Sequence, residues 1–312
     1  IHTIMDRRIK FSEIRDAVNA AYEEYKSLKE GTADSRVGAS KHDTFGISVA
    51  LADGTVINKG DSDAQFPIGQ ILRIPVASIL LAQNGVDNLL KKSGVRASHC
   101  NGKDKKPKME FSPRMVRAVS AIEPTGDFDS KWNFVENRMI DLMGSAPQLD
   151  LKLYENLKQQ AAENKTAEQF GEDGYYLYDD AFKSLDLLLK GMSMRVSAQQ
   201  LAEMGATIAA DGVNPFTRKI VFDGALSQRI VGMMAQASRR VQHAWLVKAG
   251  LPAVTGFGGG VVGVIPGVMA IAAYSPELNE RGTSVKAANA LQYIMNKLQL
   301  SVFGSAKVVV EQ

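Results

Sequence analysis

The order of strand-like and helix-like stretches in this 312-residue sequence predicts an α+β fold. Three observations carry that expectation. Residues 45–51 read as a strand, Ala52-Asp53-Gly54 as a turn and residues 55–59 as the returning strand of a hairpin. From about 130 to 240 the apolar spacing is helical. Three apolar stretches, 253–257, 261–265 and 268–274, then restore strand character before a closing helix over 285–298. Strands from both chain ends are thus expected in one antiparallel sheet flanked by helices, with a mainly helical part inserted between them. The expected organisation is a single unit, 1–312, with its sheet part from about 1–65 and 250–312 and its helical part from about 66–249. A cleft is expected where the two parts meet.

Each element has its own local reason. Residues 12–30 place Ile14, Val18, Ala21 and Tyr25 on one helical face. The polar run 60–65 leads into an apolar helix over 70–82, which is expected to stop before Asn84-Gly85. Helices are predicted over 132–142, 151–169, 178–191, 198–211 and 224–237, with Ser197 as the N-cap of the fourth and Asp211-Gly212 as its stop. Met204, Met233, Met234, Met269 and Met295 read as core or interface filler. The closing helix turns Ala288, Leu291, Ile294, Met295 and Leu298 toward the core.

Composition narrows the function classes. A hydrophobic share of 45% with 23% charged residues is ordinary for a globular chain, and a net charge of +3 is too weak to argue for nucleic acid. Residues 91–108 form a basic stretch holding Lys91, Lys92, Arg96 and four further lysines. It lacks aromatic residues that would stack bases, so it reads as a solvated loop ahead of the alternative, a phosphate or nucleic-acid site. The single cysteine, Cys100, excludes an internal disulfide framework and fits a reducing compartment. The longest apolar candidate, 261–274, is interrupted by Gly263, Pro266 and Gly267, so no membrane span is expected. Asp6, Arg7, Arg8 and Lys10 break up the N-terminal stretch, which does not read as a secretion signal. The expected location is cytoplasmic.

Several motifs together carry a resemblance. LAEMGATIAADGVNPFT at 201–217 is similar to LAxMxATLANGGVNPxT, and GLPAVTGFGGGVVGVIPG at 250–267 to GLPAKSGVGGGILAVVPG. SPELNERGTSV at 275–285, FGISV at 45–49 and GDSDAQF at 60–66 follow the same source pattern. In this the chain resembles the glutaminases of the serine β-lactamase-like fold, nearly end to end and in the right order. The resemblance implies that fold, hydrolysis of L-glutamine to L-glutamate and ammonia through a serine acyl-enzyme, and no metal or organic cofactor. It also implies a homo-oligomer.

The resemblance also exposes departures. The family's FSIQSISK falls without a gap on FPIGQILR at 66–73, so the nucleophile position holds Gln70 and the lysine position Arg73. A carboxamide does not attack a carbonyl usefully, and a guanidinium stays protonated at working pH. The family asparagine of NPMVNAGAI falls near Arg117, or on Val116 in the alternative register. The two family tyrosines fall on Leu188 and Arg239, and the KSG lysine on Val254. The substrate-gripping glutamate and asparagine fall near Asn156-Leu157 and on Asn164. The backbone N–H groups of Gln70 and Phe257 fall on the oxyanion positions.

The expected function is therefore that of a glutaminase homologue with little or no hydrolysis, acting in binding or assembly. Its sharper form has Arg73, Arg117 and Arg239 converging on a small-molecule carboxylate or other anion, alongside Gln70, Asn164 and Phe257. The alternative is an active amidohydrolase with a relocated nucleophile, for which Ser78, Thr255 and Cys100 are the candidates. His99 and His243 read as surface or core histidines without catalytic partners.

Overall fold

The computed structural model describes residues 6–38, 43–92, 112–172 and 177–312. The basic stretch from 93 onward, with His99 and Cys100, lies outside the described residues.

The described residues open with β1 (Arg7–Lys10) and α1 (Phe11–Tyr25). The Lys10 N–H donates to the Glu13 carboxylate at 2.7 Å, closing the first turn of α1. Ile14, Ala17, Val18 and Ala21 form its buried face, as the spacing predicts, but the helix ends at Tyr25 rather than near 30. Thr32–Ala33 is β2, and the predicted hairpin is β3 (Gly46–Leu51) with β4 (Val56–Gly60). The Asp53 carboxylate accepts from the Thr55 N–H at 2.9 Å, which fixes the hairpin turn.

β5 (Phe66–Pro67) leads through a 3-10 turn, Gly69–Leu72, into α2 (Arg73–Lys92). Gly85, at φ +69°, breaks the helical backbone where the sequence places a stop, and the chain then resumes its helix. The sequence reading assigned no helix over α3 (Pro113–Ser120), which a proline in its first turn starts. α4 (Phe128–Met143) is followed by β6 (Gln148–Leu149) and α5 (Leu151–Glu163). The single helix predicted over 151–169 is two, because Lys165 takes a left-handed conformation at φ +49° before α6 (Thr166–Glu172).

α7 (Ala181–Met192) starts later than predicted because Asp180 caps it, accepting from the Lys183 N–H. β7 (Met194–Val196) and α8 (Ala198–Ala209) follow, the latter with Ser197 in a full capping box. A 3-10 turn precedes α9 (Ser227–Ala237), and α10 (Trp245–Ala249) leads to β8 (Ala253–Thr255), β9 (Gly260–Ile265) and β10 (Met269–Tyr274). β11 (Glu277–Leu278), α11 (Val285–Leu298) and β12 (Val308–Glu311) close the chain.

The main sheet has five antiparallel strands in the order β4-β3-β10-β9-β8, so strands from both ends of the sequence do share it. The central strands β3, β9 and β10 are buried along their whole length, which explains their nearly unbroken apolar sequence. One face, with Ile47, Val49 and Ile271, packs under α1 and α11. The other, with Val262, Val264 and Ala270, packs on α8, which in turn contacts α4. β1 and β12 pair in parallel and join the two ends of the described chain, a pairing the sequence reading did not assign. Among the described residues, no helix is long and apolar enough to cross a membrane.

Candidate functional site

The site is set where the start of the central helix meets the loop after β8. Glycines permit the approach. A Cβ at Gly258 would lie 2.1 Å from the Pro67 carbonyl oxygen, and Gly69 takes φ +55° with Phe257 directly against it. This contact delivers the Phe257 N–H to the Gln70 side chain, whose Oε1 accepts it at 2.7 Å. The partners are 187 residues apart. The expected oxyanion donor is thus already bonded to the side chain standing where a nucleophile is expected.

Phe257 is also held from outside. The Arg36 guanidinium lies 4.7 Å from its ring centroid. Arg36 in turn makes a two-pronged ion pair with Asp34, at 2.9 and 2.6 Å. Burial alone would raise the Asp34 carboxyl, but the hydrogen bonds from the Arg36 side chain and backbone outweigh it and hold it below the usual range. The sequence reading missed this bracket; nothing in the spacing of Asp34 and Arg36 points to a ring more than two hundred residues away.

Arg73 folds back along its own turn. Its Nε donates to the Gln70 carbonyl at 3.1 Å and an Nη lies 3.9 Å from the Met115 sulfur. Burial, helped by repulsion from Arg240, pushes its pKa down to about 10. It therefore remains a cation at neutral pH and is no general base.

A cavity of about 550 Å³ opens beside it between α2, α3 and α9, with Arg114, Arg239 and Arg240 also on its wall. This cavity lies among helices, whereas the sequence leads to the expectation of a cleft between sheet and helical part. Arg73 and Arg239 both line it, but Arg117 does not. Its guanidinium sits 5.3 Å from the Tyr178 ring and donates to the Tyr178 hydroxyl at 3.2 Å. Met115 reaches Arg73 instead, because α3 turns that face to α2. Val116 and Leu188 are fully buried core residues, and Val254 is nearly so. Asn164 is exposed at the end of α5 and lines none of the three described cavities.

The relocated-nucleophile candidates are placed as follows. The Ser78 hydroxyl donates to the Pro75 carbonyl at 2.7 Å and accepts from the Arg138 guanidinium at 3.2 Å, and neither of these described partners is a base. The buried Thr255 hydroxyl has no hydrogen-bond partner among the described residues. His243 is exposed. Among the described residues, no group of three or more His, Cys, Asp or Glu side chains is arranged to hold a metal ion.

The glutaminase family model matches residues 35–303, a span that takes in the Gln70–Phe257 corner and the cavity wall. The chain belongs to the glutaminase family. It is 36% identical to a glutaminase of Bacteroides fragilis, covering 98% of this chain and 99% of that one. A glutaminase of Bacteroides thetaiotaomicron is similar to the same extent. Among solved structures, one described as the probable glutaminase YbaS superposes with a TM-score of 0.82 at 26% identity, covering 95% of this chain and all of that one. The fold is thus the serine β-lactamase-like fold of the glutaminases, as the motifs imply.

Proposed function

We propose that this glutaminase-family chain has little or no hydrolytic turnover at its Gln70 corner and serves to bind an anionic small molecule. The observation that carries the reading is the 2.7 Å hydrogen bond from the Phe257 N–H to the Gln70 side chain. An acyl-transfer site needs a free donor there to stabilise the developing oxyanion, and a nucleophile with a base beside it. Here the donor is engaged by a carboxamide, and the neighbouring cation has a pKa of about 10. Ammonia release from L-glutamine, measured on the purified chain, tests this. Background release is expected, and turnover like that of an ordinary glutaminase would overturn the reading. A homo-oligomer is part of the same proposal, to be read by sedimentation velocity.

A second reading has its own support. The relatives at 36% identity carry the name glutaminase over the full length of the match, and that weighs toward retained hydrolysis. Among the described hydroxyls Thr255 suits it best, being buried on the strand that ends at the corner and free of a hydrogen-bond partner among the described residues. If ammonia is released, Thr255→Val should abolish it; unchanged turnover in that variant would exclude Thr255.

A further inference from the structure

The cavity between α2, α3 and α9 differs from the Gln70 corner in both charge and lining. Its about 550 Å³ falls within the range of small-molecule sites. The charged residues on its wall are Arg73, Arg114, Arg239 and Arg240, and no Asp or Glu lines it among the described residues. The described salt bridges engage none of the four. Guanidinium groups with no described carboxylate among them repel one another, and Arg240 adds to burial in disfavouring the charge on Arg73. An anionic head would supply the missing acceptors in charge-assisted, forked hydrogen bonds.

The rest of the wall is apolar. Ile74, Leu80 and Leu89 come from α2 and Ile230 and Met234 from α9, with Met233 the most exposed of them. Such a surface gives a small hydrophilic anion nothing for most of its length, whereas an alkyl chain covers it and displaces water. The methionines adapt to chains of different length.

We infer that this cavity binds a single-chain amphiphile with an anionic head, the carboxylate or phosphate at the four arginines and the chain along the α2–α9 wall. This deepens the anion-binding part of the proposed function, and the two fail separately. Ammonia release bears on Gln70, while amphiphile binding bears on the cavity.

The test is calorimetric titration of the whole chain with decanoate and with decyl phosphate, which distinguishes the two heads. Butyrate, inorganic phosphate and decyltrimethylammonium serve as controls. At least one of the two anionic amphiphiles should bind about tenfold or more tighter than its short counterpart, and the cationic amphiphile should not bind. Arg114→Gln with Arg240→Gln, both exposed positions, should weaken binding by about tenfold or more, while Ala77→Phe should block the chain's path. The inference is overturned if neither amphiphile binds below millimolar concentration, or if the short anions or the cation bind as tightly. It is equally overturned if the arginine double variant binds unchanged.

Discussion

Lys131 and Arg73 are both cations set among the helices, and they are held in opposite ways. Lys131, on α4, is fully buried, with its ammonium 2.5 Å from the Asp179 carboxylate and 3.1 Å from the Ser120 carbonyl. The Phe128 ring lies 4.8 Å away, so the charge is enclosed and answered on several sides. Arg73, on α2, has a backbone carbonyl and a thioether as neighbours and a second guanidinium close enough to repel it. One cation ties loops and helices together; the other leaves its charge open to a cavity. A buried charge that is fully paired speaks for structure, and one left uncompensated beside space speaks for a ligand.

The largest effect should come from breaking the paired cation. Asp179→Asn leaves Lys131 charged and buried, so urea unfolding should show a loss of about 3–5 kcal/mol. Replacing both partners by apolar residues, Lys131→Met with Asp179→Leu, should cost much less, and equal losses would mean that the pair is not what holds this layer. The same pair makes acid sensitivity predictable. Burial alone would raise the Asp179 carboxyl, but hydrogen bonds from the Gly126 N–H, Lys131 and the Asp180 N–H hold it below the usual range. Its stabilisation is therefore complete above the unfolded carboxylate value of about 4 and is lost as pH falls through the lower folded value. Between pH 6 and pH 3 the urea midpoint of Asp179→Asn should fall less than that of the wild type.

A middle-sized effect is expected at the corner. Gln70→Ala removes the acceptor of the Phe257 N–H and should cost about 1–3 kcal/mol if that donor then stays dry. No change in stability would show that the bond is replaced by water at no cost. The smallest effect has the opposite sign. Arg73→Met removes a guanidinium that no described carboxylate pairs and should stabilise the ligand-free chain by on the order of 1 kcal/mol, or roughly 2–4 °C in Tm. A clear loss of stability on that substitution would erase the contrast with Lys131.

Much of the frame was legible because it is written in short-range patterns. The Asp53-Gly54 turn announced β3 and β4, Ser197 announced the start of α8, and the 3.6-residue spacing of Ala288, Leu291 and Met295 announced α11. The misreadings lie where a single residue's backbone or a distant partner decides. Lys165 in a left-handed turn split one predicted helix into two. α3 carries its apolar residues in too short a run for periodicity to be read beside a basic stretch. At the site, alignment put Arg117 toward the pocket, but packing turned Met115 there and laid Arg117 on Tyr178.

By itself the sequence determined which chemistry stands at residues 70 and 73, because side-chain identity fixes what can donate, accept or carry charge at neutral pH. It also determined the sheet's membership and the family, since both rest on local pattern and motif order. Only the tertiary structure decided that Gln70 bonds Phe257 across 187 residues and that Arg114 and Arg240 join Arg73 and Arg239 around one space. Those outcomes depend on how helices cross and which rotamers survive packing, and neither leaves a periodic trace in the chain.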